Sequence, residues 1–589
     1  MPSFVSLADS ATLRRASSSA FKGSTVGSFF VASSPSQIDS EASCSSTASA
    51  AAEALLDGDE DHSGLPLQAR HRFGYLAQYF AVGVVYGGLP ATTYGFLLGY
   101  LNVPSYVYSA CQTMLTLPWN LKFLFGALND CVPICGLRRK PYMAAGWALC
   151  TAMLFLLFLW RPPPSYYCLD PATREYLLDE PPCNPESAKA GVVPTLLMMG
   201  ACLGYVIADV AADGLTVQYA RAEPEHRKGY VQSTAYLWRS VGQVFASSLV
   251  GLGMNGPEYL GSFAYSLSFN QVCLVFAAIS CAMVPVSLSC IDEPRLASRV
   301  SFAEYRRATW ELMRSRAFFC IVLWQFFNPA IQYVNSTAYP LVQRYWAGVE
   351  VLQNQVSVVA AYALFSLTLW VVRERLLATS WRLMLGTTTL CLAAMDAPFS
   401  LLTALGVVRN QYFYLGENLI TYIPGAVFLV VSCFVVAELA ASDNEGLVYG
   451  LISTISNCGK GVPTAVSNQL FGAFYPALSN SPNYNPGQGG DQPCFRRVVA
   501  YSFLVGYGFA LASLLTMPLM PDQRAEARHR MATWPRSTAY AVATVVLLVV
   551  GLCYSVTTNV MALTPLACLR FVGGQGCTQA EEANVAETC

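Results

Sequence analysis

The sequence predicts an all-α, polytopic membrane protein, and three observations carry that class. Hydrophobic residues make up 54% of the 589 positions and charged residues only 12%, against roughly 25% charged in soluble domains. The charges fall in short clusters between apolar runs of about 20 residues, the length a helix needs to cross a bilayer. The richest basic clusters recur on alternate loops, which assigns the two sides. A net charge of −1 gives no reason to expect a nucleic-acid partner. Of the 20 cysteines, Cys111, Cys202, Cys273, Cys281, Cys391 and Cys433 sit inside apolar runs, where the thiol acts as a small apolar group. No cysteine pair has zinc spacing with histidine nearby, and only four histidines exist, so no metal or other cofactor is expected.

Taken in order, residues 1–72 are rich in Ser and Ala and read as a disordered cytoplasmic tail. The first 38 residues, with Arg14, Arg15 and Lys22 against the single acid Asp9, would also suit an organelle transit peptide. Asp57, Glu60 and Asp61 follow, which favours the cytosolic tail. Spans are expected at 74–100, 104–128, 142–161, 191–215, 230–253 and 268–291. A second series follows at 317–340, 353–372, 383–407, 416–440, 447–475 and 497–520, and a last one at 538–563. The loop 292–316 divides six helices from six, and its Glu293, Arg295, Glu304, Tyr305, Arg306 and Glu311 suggest a surface helix. The expected parts are thus a half at 73–291, a half at 317–521, a cytoplasmic linker at 522–537, an extra transmembrane helix at 538–563 and a tail at 564–589. Two six-helix halves joined by an inner loop is the architecture of the major facilitator superfamily.

Basic residues place the amino terminus in the cytoplasm. Arg138, Arg139 and Lys140 follow the second span; Arg221, Arg227 and Lys228 follow the fourth. Arg295 to Arg316 follow the sixth, Arg373, Arg375 and Arg382 the eighth, and Arg524 to Arg536 the twelfth. Arg496 and Arg497 are the main exception on the other side. The loop 162–190 then faces the outside or a lumen, where a Cys168–Cys183 disulfide is expected, with Cys494 as a competing partner. The plasma membrane is favoured over a plastid or vacuolar membrane.

Polar residues recur at helical spacing inside the spans. Trp119, Lys122, Gly126 and Asp130 share one face of the second span. A lysine placed mid-membrane costs roughly 3 kcal/mol, so it is rarely left facing lipid. Lys122 lies about two turns inside Asp130, which makes snorkelling an uncomfortable alternative. The fourth span carries Asp209 and Asp213 one turn apart; the fifth carries Gln232, Tyr236, Arg239 and Gln243. The seventh offers Trp324, Asn328, Gln332 and Asn335, and the eleventh Ser453, Asn457, Lys460 and Thr464. Asp396 and Glu438 complete the inventory. Substrate binding or coupling is assigned to Lys122, Asp130, Asp209, Asp213, Tyr236, Arg239, Gln243, Trp324, Asn328, Asn457 and Lys460. A cytoplasmic gate is assigned to Asp130, Arg138, Arg139 and Lys140. The competing role for Gln243 and Asn328 is hydrogen bonding between helices. For Lys122, Asp209 and Arg239 it is a structural ion pair. No nucleophile–base pairing or phosphate loop points to an enzyme.

At these residues the chain resembles the folate–biopterin transporter family, a branch of the major facilitator superfamily, over about Phe73 to Pro521. Three blocks carry the resemblance: Lys122 to Tyr142; Asp209-Val-Ala-Ala-Asp213-Gly-Leu-Thr-Val with Gly229-Tyr-Val-Gln-Ser and Arg239-Ser-Val-Gly-Gln; and Glu445-Gly446-Leu-Val-Tyr-Gly with Ile455-Ser-Asn457. Lys122-Phe123 and Asn129-Asp130 depart from the family's usual Lys-Pro and Ser-Asp, and Ala441-Ser-Asp-Asn replaces its Cys-Pro. The resemblance implies carriage of folates or pterins across the bilayer, as a symporter or exchanger. Tyr86, Tyr94, Tyr236, Trp238, Trp324 and Tyr333 would suit a flat pteridine. Lys122, Arg239 and Lys460 would suit an anionic folate tail. The alternatives are a carrier of another small solute and a non-transporting receptor.

Overall fold

The structure, a computed structural model, describes residues 69–170, 176–178, 180–221, 230–293, 301–372, 379–439, 445–574 and 576. Most of the expected tail lies outside the described residues, as do Arg227, Lys228, Gly229, Arg295, Arg299, Arg373, Arg375, Ala441 to Asn444, Cys577 and Cys589. So do the side chains of Arg221, Gln232, Glu438, Glu445 and Arg524. Among the described residues the chain is helical almost throughout, with only isolated bridge pairs such as Ile134 with Leu137. In hydrocarbon only a helix satisfies every backbone group within one segment.

Helix α1 (Ala69–Thr93) runs on as a π-helical turn, Tyr94–Tyr100. The second span is α2 (Ser105–Thr116), a 3-10 turn Leu117–Leu121 and α3 (Lys122–Cys131). Pro118 falls in that turn, where its missing N–H interrupts the α-helical ladder. Next come α4 (Lys140–Leu159), α5 (Val192–Arg221), α6 (Tyr230–Gly253) and α7 (Phe269–Ser289). Helix α8 (Phe302–Met313) opens on a Ser301–Glu304 capping box. The surface helix expected in the central loop is therefore present, but Glu293 lies upstream of it.

The seventh span departs from the expected unbroken 317–340. Helix α9 (Arg316–Gln332) stops, Tyr333 to Ala338 are not helical, and short turns resume at Tyr339–Leu341 and Val342–Trp346. Pro329 cannot donate to the Gln325 carbonyl, which loosens the last turn. Side chains then satisfy the broken backbone. Ser467 Oγ accepts from the Asn335 N–H at 3.0 Å, and Ser336 Oγ accepts from the Ala338 N–H at 3.1 Å. Helices α10 (Val351–Val371), α11 (Trp381–Ala404), α12 (Gln411–Leu439) and α13 (Glu445–Phe471) follow. Then come α14 (Pro493–Ala512), extended by a 3-10 stretch Ser513–Leu519, the basic α15 (Arg524–Thr533) and α16 (Thr538–Ala562). Eight helices among the described residues are long and apolar enough to cross a membrane. Helices α3, α6 and α13, which carry the polar stripes, are not among them.

Helix α1 packs along α6, and α4 packs on both α5 and α7. Gly83 and Gly242 make the first contact possible, because a Cβ on either would collide with the other helix's backbone at Arg239 or Phe80. In the later part α9 packs on α13, α10 on α12, and α11 on α12 and α14. The two groups meet along α2–α3 with α13 and along α6 with α10. Thr113 donates to Thr464 at 2.8 Å across the first seam. Helix α16 lies against both α13 and α2: Ser555 donates to the Gly461 carbonyl at 2.8 Å, and Ala562 and Val572 cluster with Ala110. We propose the division 73–291 and 317–521 about the 292–316 loop, with α16 outside both sets.

On the face opposite Arg138–Lys140, Cys168 is bonded to Cys183, and Cys494 and Cys568 are each in a disulfide as well. Hydrogen bonds tie the two groups of helices together there. Tyr94 donates to the Val349 carbonyl at 2.7 Å, Asn255 to Glu350 at 2.9 Å and Tyr345 to Asn102 at 2.9 Å. Arg344 lies over the Tyr94 ring at 5.0 Å. Asp491 is gripped by Arg409 at 2.6 and 2.7 Å and by Arg496 at 2.9 Å to each oxygen.

Two outcomes are expected. An amino-terminal tag should be reached only after permeabilisation, and a tag at the carboxyl terminus from the outer or lumenal side. A carboxyl-terminal tag protected until permeabilisation would mean that α16 does not cross. Burial alone would raise the Asp491 carboxyl, but hydrogen bonds and charge from Arg409 and Arg496 hold it below its usual range. Its contribution is therefore fully present above the ordinary Asp value of about 4 and is lost as pH falls through the depressed one. Protease nicking of the 476–492 loop should be flat from pH 7 to about 4 and rise only below it. A rise beginning near pH 6 would contradict this.

Candidate functional site

Four ionisable side chains from three helices meet inside the first group. Lys122 on α3 places Nζ 2.9 Å from Asp213 Oδ2 and 3.1 Å from Asp209 Oδ2, both on α5. Arg239 on α6 places Nη1 3.4 Å from Asp209 Oδ1. Asp209 is 0% exposed, Arg239 1%, Lys122 7% and Asp213 8%, so Lys122 does not snorkel. Two acids and two bases balance, which is what allows the set to be buried. Aromatic faces complete the cage. Lys122 Nζ lies 4.8 Å from the Trp119 ring centre, and the Arg239 guanidinium 4.8 Å from Tyr86 and 5.4 Å from Trp119.

A string of hydroxyls leads away from this cluster. Tyr79 donates to Asp213 Oδ1 at 3.0 Å, its oxygen is 2.6 Å from Thr216 Oγ1, and Tyr75 is 2.7 Å from the same Thr216 oxygen. Sequence reasoning missed all three. Their signal was the i, i+4 pair Tyr75–Tyr79 on the first span. Tyr236 sits at the edge, its ring 6.2 Å from that of Tyr79. Gln243 is buried against Gly87 of α1 and takes no part in the charge cluster.

The proposed gate residues lie toward the basic face. Arg139 Nη2 donates to Asp130 Oδ1 at 2.6 Å. Its guanidinium packs against Gly214, where a Cβ would strike it, one residue from Asp213. Asp213, Lys122, Asp209 and Arg239 thus alternate in sign through direct contacts, and the Asp130–Arg139 pair stands beside that series as a separate ion pair. Glu293 was not read as part of the gate. Its carboxylate accepts the N–H groups of Arg138, Arg139 and Lys140 at 2.8, 2.9 and 2.9 Å, capping the positive end of α4.

The residues expected from the second group do not join that chain as a set. Trp324 is fully buried with its ring 5.3 Å from Phe428, and its indole N–H has no hydrogen-bond partner among the described residues. Asn328 donates to the Ser513 carbonyl at 3.3 Å and to Thr516 at 3.1 Å, tying α9 to the end of α14. Asn457 on α13 is 2% exposed, and neither its amide nitrogen nor its oxygen has a partner among the described residues. Lys460, one turn on, is half-buried.

A cavity opens elsewhere in the second group, between α9, α11, α12 and α14. It holds about 1040 Å³ of empty space, part of it open to the exterior. Tyr333, Asp396, Thr421, Phe428 and Tyr507 are among its walls. Each of the four segments around it contains proline: Pro329, Pro398, Pro424 and Pro518. Each proline lacks the N–H its segment's ladder needs, which favours a bend there.

The chain is a multi-pass integral membrane protein with the fold of major facilitator transporters. Its structure resembles that of a D-xylose-proton symporter, with a TM-score of 0.52 and 12% identity, over 77% of this chain and 98% of that one. Residues 79–169 match the BT1 family, a stretch that holds the whole Lys122–Tyr142 block. "Probable folate-biopterin transporter 4" of Arabidopsis thaliana is 24% identical over 176 residues, 29% of either chain. "Folate-biopterin transporter" of Synechocystis sp. is 21% identical over 393 residues, 65% of this chain and 71% of that one. The resemblance read from the sequence therefore stands, and the relatives are transporters, not enzymes.

The Gly214 contact yields a third expected outcome. Gly214→Ala should push Arg139 off Asp130 and raise labelling of Cys131 by an impermeant thiol reagent roughly two- to fivefold. That is the worth of a partly exposed ion pair of up to about 1 kcal/mol. Asp130→Asn should do the same. Raised labelling in Asp130→Asn with none in Gly214→Ala would remove the glycine from the gate.

Proposed function

We propose that this protein is a secondary active transporter of folates or pterins, working by alternating access with proton symport or exchange. The single observation that carries the reading is the buried, balanced cluster of Lys122, Asp209, Asp213 and Arg239, with its hydroxyl string. The names of the relatives supply the substrate class.

The cluster suggests how an anion and a proton would travel together. An acid here is pulled two ways, since desolvation favours its neutral form and neighbouring cations its carboxylate. Protonating Asp209 would loosen its hold on Arg239 and Lys122. A substrate carboxylate would then take the vacated place, so that cation and anion counts stay matched inside the bilayer. Tyr79, Thr216 and Tyr75 would pass the proton between Asp213 and the basic face. A neutral pterin needs this exchange less than an anionic folate.

Reconstituted vesicles with a pH gradient test the reading. Asp209→Asn should abolish pH-driven folate uptake while exchange of pre-bound substrate persists in part. Arg239→Ala and Lys122→Ala should weaken folate more than pterin. Tyr79→Phe should slow the driven mode and spare exchange. A purely structural pair gives a different pattern: Asp209→Asn and Arg239→Ala would each lower folded yield, by about 3–5 kcal/mol of lost stability, and the double variant would recover it. Wild-type pH-driven uptake in well-folded Asp209→Asn would end the proton role of that residue.

A further inference from the structure

The cavity between α9, α11, α12 and α14 shares no residue with the Lys122 cluster. Its lining contains one charged residue, Asp396. Asp396 lies eight positions inside the end of α11 at Ala404, about 12 Å along the helix axis. Tyr507 of α14 donates to its Oδ2 at 2.6 Å, which aims and steadies the carboxylate. A carboxylate at that depth faces a partner or a pathway, seldom lipid. The broken stretch after α9 forms another wall, through Tyr333, Asn335 and Ser336. Non-helical backbone at membrane depth is tolerated where it lines a cavity, and interrupted helices of this kind mark binding sites in transporters. Aromatic faces from Tyr333, Phe428 and Phe503 suit a flat ring.

We propose that this cavity binds a planar nitrogen heterocycle through its 2-amino-4-oxopyrimidine edge, with Asp396 accepting the adjacent amino and ring N–H donors. That edge presents two parallel N–H groups to a carboxylate, as the fork of an arginine does. Thr388 and Thr421 supply hydroxyls for the remaining ring edges. Pterins and guanines share the edge. Choosing a pterin rests on the proposed function; the cavity and its carboxylate do not.

The test is equilibrium binding to the purified full-length protein, with pterin, 9-methylguanine and lumazine as probes. Lumazine carries an oxo group where pterin carries the 2-amino group, so it lacks one donor of the pair. Wild type should prefer pterin to lumazine by about tenfold or more, the worth of one hydrogen bond to a charged acceptor. Asp396→Asn should lose that preference while keeping its melting temperature, and Asp396→Glu should restore part of it. If Asp396→Asn does not fold, Thr388→Phe, which fills the cavity, should weaken pterin and 9-methylguanine alike. An unchanged pterin-to-lumazine ratio in folded Asp396→Asn overturns the site. So does a wild type that binds none of the three probes, or a folded Thr388→Phe that binds as wild type does. Pterin uptake in vesicles separates the two readings. Uptake by wild type that survives Asp396→Asn with the ratio unchanged removes the site and leaves the proposed function. A wild type that binds 9-methylguanine through Asp396, yet neither binds nor moves pterin, keeps the site and rejects that function.

Discussion

The contact of Lys122 with Asp209 and Asp213 is the constraint on which the first group of helices depends. Neither acid is tolerable in hydrocarbon without a cation, and Lys122 is tolerable only beside them. That requirement fixes α3 against α5 in both rotation and height. Arg239 adds α6 to the same point, and it reaches Asp209 because Gly83 and Gly242 let α1 and α6 touch backbone to backbone. Tyr86, Trp119 and Tyr205 then fill the space around the charges; Trp119 donates to the Tyr205 hydroxyl at 3.0 Å. The ion pairs specify an arrangement more than they add stability, since burying charge costs nearly as much as pairing returns.

The two groups of helices use their polar residues differently. In the first, the charges from Asp213 to Arg239 are in contact, with Tyr79, Thr216 and Tyr75 as a branch and the Asp130–Arg139 pair alongside. In the second, a cavity among four proline-containing segments opens beside Asp396, the one charged residue of its lining. The first group thus concentrates its buried charges, and the second its open space.

Much of the fold was legible in the sequence, because membrane helices announce themselves by length and apolarity. The charge cluster was legible for a related reason. Lys122, Asp209, Asp213 and Arg239 are so costly in a bilayer that their presence alone implied mutual contact. What stayed hidden has physical causes. The break after α9 was missed because Tyr333 to Ala338 continue the apolar run with small polar residues, and only Pro329 hinted at it. Glu293 was assigned to a surface helix, since nothing local says that a carboxylate will cap α4 more than a hundred residues earlier. Gly214 carries no side chain to notice; its role is the room it leaves for Arg139. The cavity near Asp396 lies among four segments far apart in the chain, a property of no single stretch of sequence.

Helix α16 has a mechanical consequence. It is pinned to α13 through Ser555 and Tyr554, and its far end packs on Ala110 of α2. It therefore spans one of the two seams, while the α6–α10 seam is tied at its end by hydrogen bonds from Asn255 and Ser262 to Glu350. Parting the two groups would thus cost different contacts on the two flanks: helix packing along α16 on one, and at α6 and α10 the polar bonds that end in Glu350.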